Sequence, residues 1–140
     1  MTIVIDANIV LALYDLGDED HHRAVSFYAE LDEDIFTTPM VAAEMDHLVR
    51  QRAGRTAAMR LWSDFDAGAI QLRWWSSAVP EILAIARARP RLGLADASLI
   101  ALAPVLRTTR IATFDRHDFS AARTADGEPY TLRPRTSLGD

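Results

Sequence analysis

Apolar residues in this chain fall into short runs of two kinds that alternate along it. Thr2, Ile3, Val4 and Ile5 form a β-branched run that stops at Asp6, which predicts a buried strand. The segment ANIVLALYD that follows is apolar enough for a short buried helix. Beyond Asp18, Glu19 and Asp20, the stretch HHRAVSFYAEL repeats Ala24, Val25, Phe27, Tyr28 and Leu31 at helical spacing. IFTT predicts a second strand. Pro39 suits the first turn of the helix PMVAAEMDHLVRQRA, whose apolar face carries Val41, Met45, Leu48 and Val49 and which Gly54 ends.

The alternation continues to the end of the chain. TAAMRLWSDFDAG predicts a helix closed by Gly68, AIQLRWW a third strand, and Ser76 or Ser77 a cap for the helix VPEILAIARAR. RLGL reads as a loop into the apolar helix ADASLIALAPVLR, which Pro104 is expected to kink or end early. RIATF is a fourth strand, RHDF a turn after Asp115, and YTLR a fifth, edge strand between Pro129 and Pro134. Strands that alternate with helices predict an α/β fold, a three-layer α/β/α sandwich around a mostly parallel sheet of four to five strands. No repeat, low-complexity tract or Gly/Ser linker interrupts residues 1–140, so a single domain is expected.

Composition narrows the chemistry. At 140 residues and 49% hydrophobic, the chain has apolar material for a real core. It has no cysteine, which excludes disulfides, thiolate metal sites and a cysteine nucleophile. All 15 basic residues are arginine, so mechanisms that need a lysine amine are excluded as well. The net charge of −5 argues against broad attraction to a polyanion. There is no secretory leader pattern, and no apolar run approaches the ~18 residues needed to span a bilayer, so a soluble cytoplasmic protein without membrane attachment is expected.

Open α/β sheets bind ligands beyond the carboxyl ends of their strands, and four acids belong there. Asp6 ends the first strand and Asp115 the fourth. Glu44 lies in the second turn of the helix after the second strand, and Asp96 at the start of the apolar helix DASLIALA. Clustered carboxylates repel one another unless they take up protons or bind a cation. Hard oxygen donors suit Mg²⁺ or Mn²⁺, and such ions support phosphodiester hydrolysis. Each acid also has a plainer role open to it. Asp96 fits a helix N-cap, Glu44 a solvated helix position, and Asp115 with Asp118 a hydrogen-bonded turn. Asp6 is the hardest to explain plainly, because a carboxylate flanked by apolar residues is costly to desolvate unless paired.

The order of these motifs, D-A-N after the first strand, P-x-x-x-x-E on a helix, G-L-x-D-A at a helix start and T-F-D after a later strand, resembles the PIN-domain nucleases. The resemblance spans residues 3 to 119 and is nearest to VapC-type toxins of toxin–antitoxin pairs. It implies a PIN-like fold and a Mg²⁺- or Mn²⁺-dependent endoribonuclease whose acidic metal site is Asp6, Glu44, Asp96 and Asp115. Asn8, Thr113 and Asp118 stand where the family often has polar residues that assist that site. The resemblance further implies an RNA substrate, a homodimer, and a VapB-type antitoxin protein as inhibitor. Two features depart from the pattern: the extra acid Asp46 beside Glu44, and Pro104 in the helix that supports Asp96.

Arg50, Arg52 and Arg55 after the Glu44 helix, with Arg110 and Arg116 around the strand bearing Asp115, are candidate RNA contacts or else an ordinary solvated surface. Trp74 and Trp75 suit base stacking, or a core and an interface position. His21, His22, His47 and His117 lack a metal-binding spacing. A response-regulator receiver needs a lysine that is missing here, and a haloacid-dehalogenase-type phosphatase needs an acid where Asn8 stands. A non-catalytic binding module of the same fold remains the other alternative.

Overall fold

The computed structural model describes residues 1–135. Five strands, β1 (Thr2–Ile5), β2 (Asp34–Thr37), β3 (Gln71–Leu72), β4 (Arg110–Ala112) and β5 (Thr131–Arg133), form one parallel sheet in the order β3-β2-β1-β4-β5. Around it pack α1 (Ala7–Tyr14), α2 (His21–Glu30), α3 (Pro39–Ala53), α4 (Arg55–Ala67), α5 (Ala78–Ala88), α6 (Leu94–Val105) and α7 (Arg116–Ser120). The expected α/β sandwich is therefore observed, with all five strands parallel.

β1 is central, and Ile3, Val4 and Ile5 are wholly buried. Helices cover both faces of a parallel strand, so its sequence runs apolar without alternation. Val4 pairs in register with both Phe36 of β2 and Ile111 of β4. That pairing brings the carboxyl ends of β1, β2 and β4 side by side. α3 starts where the sequence placed it, with Thr38 accepting a hydrogen bond from the Val41 N–H at 3.2 Å and Pro39 in the first turn. Gly54 joins α3 to α4 at φ 92°, a backbone conformation that glycine alone adopts without strain.

Four local expectations are corrected. The third strand shrinks to two residues because β3 is the sheet edge and Arg73 and Trp74 turn outward. α6 starts at Leu94, inside the expected loop, with Gly93 as its N-cap; Asp96 is the third helical residue and not the cap. Pro104 ends α6 early, as expected, since the helix stops one residue after it. RHDF is the short helix α7 and not a turn, because the Asp115 carboxylate accepts the Asp118 N–H at 3.3 Å. Ser77 is the N-cap residue of α5, but its hydroxyl donates to the Glu81 carboxylate and not to the helix backbone.

Candidate active site

The ends of β1 and β4 are tied by a small polar knot. Asp6 is 4% exposed; its Oδ1 accepts the Ala7 N–H at 2.7 Å and its Oδ2 accepts the Thr113 hydroxyl at 2.8 Å. Asn8 donates to Thr113 Oγ1 at 3.2 Å and to Asp6 Oδ2 at 3.4 Å, and accepts the Phe114 N–H at 3.1 Å. Thr113 in turn accepts the Asp115 N–H at 2.9 Å. Asn8 and Thr113 thus hold two carboxylate-bearing segments at a fixed separation.

A second tie sets the other pair. The Thr38 and Ser98 hydroxyls, both fully buried, lie 2.7 Å apart and link the N-cap of α3 to the second turn of α6. Ser98 also donates to the Ala95 carbonyl at 2.6 Å. Glu44 projects from the second turn of α3 and Asp96 from the first turn of α6, so the tie fixes the helix ends that carry them.

These segments enclose a cleft of about 500 Å³ lined by Asp6, Asn8, Asp18, Asp20, Glu44, Arg52, Asp96 and Asp115, with Leu11, Leu48, Leu94 and Phe114 as apolar walls. Burial pushes Asp6 up to about 6, with the charges of Glu44 and Asp115 adding to it and the bonds from Thr113 and Ala7 opposing. Asp96 is pushed up to about 7, first by burial and then by Asp6, Asp115 and Asp118. Glu44 is raised by burial and by Asp96, and Asp115 is raised chiefly by burial. Asp96, Asp115 and Asp118 each place a carboxylate oxygen within 4.8 Å of the others. Asp118, expected only in an assisting position, therefore stands among the candidate ligands.

This donor set fits a hard divalent cation. Carboxylates that raise one another's proton affinity are stabilised as anions by a neighbouring positive charge, and the cleft offers oxygen donors without sulfur or imidazole. Asp6, Glu44, Asp96 and Asp115 line the cleft itself.

The arginines divide. Arg52 lines the cleft. Arg50 and Arg55 stack on the Trp62 ring, 5.6 and 5.7 Å from its centre, and Trp62 donates to Asp46 at 2.6 Å. Arg116 reaches the Leu132 and Pro134 carbonyls and braces β5. Arg110 begins β4, at the opposite end of the sheet from the cleft, where it pairs with Glu33 at 2.7 Å. Trp75 packs against the core and donates to Glu81, whereas Trp74 is exposed. Asp18 and Asp20 are the cleft residues that sequence reasoning missed. They sit in the acidic turn before α2, and only the packing of α2 on α1 carries that turn to the cleft.

Comparison with known proteins accords with this geometry. The chain is 35% identical to "Ribonuclease VapC26" of Mycobacterium tuberculosis, an alignment covering 94% of this chain and all of that protein. Among solved structures it is similar to M. tuberculosis VapC20, described as a sarcin-ricin loop cleaving toxin, with TM-score 0.74, 18% identity, and coverage of 86% of this chain and 95% of that one. It is also similar to FitAcB from Neisseria gonorrhoeae, with TM-score 0.58, 21% identity and coverage of 84% and 90%. The PIN domain family model matches residues 3–125, and the chain belongs to the PIN domain family.

Proposed function

We propose that this protein is a VapC-type endoribonuclease that hydrolyses RNA phosphodiester bonds with Mg²⁺ or Mn²⁺ held by Asp6, Glu44, Asp96 and Asp115, with Asp118 as a further ligand. The observation that carries the proposal is the convergence of acids from four separate segments on one cleft where burial and mutual repulsion raise them together. The identity to a named ribonuclease along nearly the whole chain supports the reaction class.

When bound, a divalent cation supplies stabilisation for charge developing on a phosphate and lowers the pKa of an attacking water. The chain's own groups prepare for that. Thr113 and the Ala7 N–H orient the Asp6 carboxylate and favour its ionised form. The N-terminus of α6 favours the anion of Asp96. Asn8 spends its amide on Thr113, Asp6 and Phe114, so its role is to fix the spacing of Asp6 and Asp115. Arg52 brings positive charge to a cleft that otherwise repels phosphate.

The reading includes a homodimer and a VapB-type antitoxin, as membership of the VapC kind implies. Exposed Leu72, Trp74 and Val79, within eight residues of sequence from β3 to the first turn of α5, support an apolar contact surface. Among the described residues no helix is long and apolar enough to cross a membrane.

The test incubates wild type and Asp96→Asn with total bacterial RNA in Mg²⁺, Mn²⁺ or chelator and maps the new ends. Asparagine keeps the size of aspartate and removes its charge. Cation-dependent cuts that leave 5′-phosphates and vanish in the variant are expected. Equal cutting by the variant, or cutting in chelator, contradicts the proposal.

A further inference from the structure

A second hollow of about 380 Å³ lies on the far side of Asp118, between the 88–92 segment and α7. Ala88, Pro90, Leu92 and Ala121 make most of its wall, and Arg89 and Arg91 stand at it. Asp118 is shared: it faces this hollow and also belongs to the carboxylate group with Asp96 and Asp115. The hollow therefore adjoins the acidic cleft, although its character is the opposite.

Its charge is concentrated by the sequence. Arg87, Arg89 and Arg91 occur within five residues, and no acid lies between Glu81 and Asp96. Arg89 is anchored by donating from Nη1 to the Ala121 carbonyl at 3.1 Å, and Arg91 donates from Nη1 to the His117 ring. Both guanidinium groups are thus placed against α7, the helix that presents Asp118. Arg50, Arg55 and Arg110 are occupied at Trp62 and Glu33, away from this side.

An occupant must suit an apolar wall, carry negative charge, and extend to the carboxylate group. A nucleotide of single-stranded RNA meets all three conditions, with an apolar-faced base and a phosphate on each side. We infer that this hollow seats one nucleotide beside the scissile phosphate, with Arg91 and Arg89 holding the flanking phosphate. The inference rests on the ribonuclease reading and deepens it, giving the strand a path that leaves the acidic cleft past Asp118. Charge-assisted contacts of arginine with phosphate are the stronger kind of hydrogen bond.

The test measures binding of a short, mixed-sequence, single-stranded oligoribonucleotide by fluorescence anisotropy. Calcium replaces magnesium to satisfy the carboxylates, and gels verify that the strand stays intact. Arg91→Ala is expected to weaken binding about 10-fold and to lower the salt slope by about 0.7, the value for one phosphate of a single strand. Ala88→Phe, which fills the hollow and keeps the charge, weakens binding with the slope unchanged. Arg60→Ala, on α4, is the charge-matched control, and thermal melts verify that each variant folds.

In cleavage assays Arg91→Ala raises KM and leaves kcat nearly as it was. Equal binding by Arg91→Ala and Arg60→Ala, or no binding by wild type, overturns the inference. The two readings fail separately. A wild type that binds through Arg91 but cuts no RNA sinks the ribonuclease and keeps the subsite, whereas cutting that ignores Arg91 and Ala88 does the reverse.

Discussion

The two ends of the same sheet treat charge in opposite ways. At the amino end, Arg110 and Glu33 meet at 2.7 Å, and the Thr108 hydroxyl donates to the Thr2 carbonyl at 2.6 Å. At the carboxyl end, Asp6, Glu44, Asp96 and Asp115 face one cleft with Arg52 as the arginine among its lining residues. Opposite charges at one end close the fold. Like charges at the other oppose it, and the chain holds them there with Asn8, Thr113 and the Thr38–Ser98 tie. Repulsion maintained by dedicated hydrogen bonds signals a site kept for a ligand.

Removing an acid is expected to have the largest effect. Asp96→Asn loses RNA cleavage on the order of 1000-fold, the scale of removing one preorganised electrostatic group. Its melting temperature without metal stays the same or rises, because a repelling charge is gone. A loss of activity accompanied by a lower melting temperature would blur the distinction between the two ends.

The amino end predicts the converse. Arg110→Ala leaves the Glu33 side chain, 8% exposed, without its cation and costs about 3 kcal/mol of stability. Urea unfolding measures that loss, and cleavage by the folded variant at low temperature is retained. A variant as stable as wild type would show that the pair does not close this end.

A smaller effect separates the ends by pH. Asp6 and Asp96 bind protons more tightly folded than unfolded, with folded values of about 6 and about 7 against an ordinary aspartate value of 3.8. The native state then holds more protons than the unfolded state between these values, so stability falls as pH rises. In chelator, their contribution is fully present below about pH 4 and is lost as pH rises through about 6 to 7. Asp96→Asn flattens that part of the curve in denaturant titrations, and Arg110→Ala lowers the curve without flattening it. In cation, activity falls on acidification as protons displace the ion, and it does so below the metal-free range because a bound cation favours the ionised carboxylates.

The smallest effect belongs to the polar knot. Thr113→Val removes the hydroxyl that Asp6 accepts and costs about 1 kcal/mol. It also raises the Asp6 pKa further, since that bond now lowers it. NMR titration of the Asp6 carboxyl carbon reads the shift, and an unchanged value would remove Thr113 from the account.

What the sequence made legible follows from range. β1 ending in Asp6, the Pro39 start of α3 and the Gly54 and Gly68 ends of helices are local signals, and each appears in the structure. The capping role that the sequence leaves open to Asp96 falls to Gly93, which has no side chain to signal it, and α6 begins within RLGL. β3 is shorter than AIQLRWW suggests because apolar Trp74 and Trp75 lie beyond a strand that has a partner on one side only. Asp6 and Asp115 are legible because strand ends fix them, and Glu44 and Asp96 because each lies near the start of a helix at the same edge of the sheet. Asp18 and Asp20 were not, because DLGDED reads as a solvated turn until α2 packs on α1. The arginines at 89 and 91 were missed for the same reason, since only the fold carries them to Asp118.

The most direct measurement titrates Mn²⁺ into metal-free wild type and Asp96→Asn and follows unfolding free energy. At 100 times Kd, specific binding adds about 2.7 kcal/mol to the wild type. The account predicts that gain in the wild type and little or none in Asp96→Asn. Equal stabilisation of the two proteins, or none in either, would contradict the claim that the acidic end of the sheet is built for a cation.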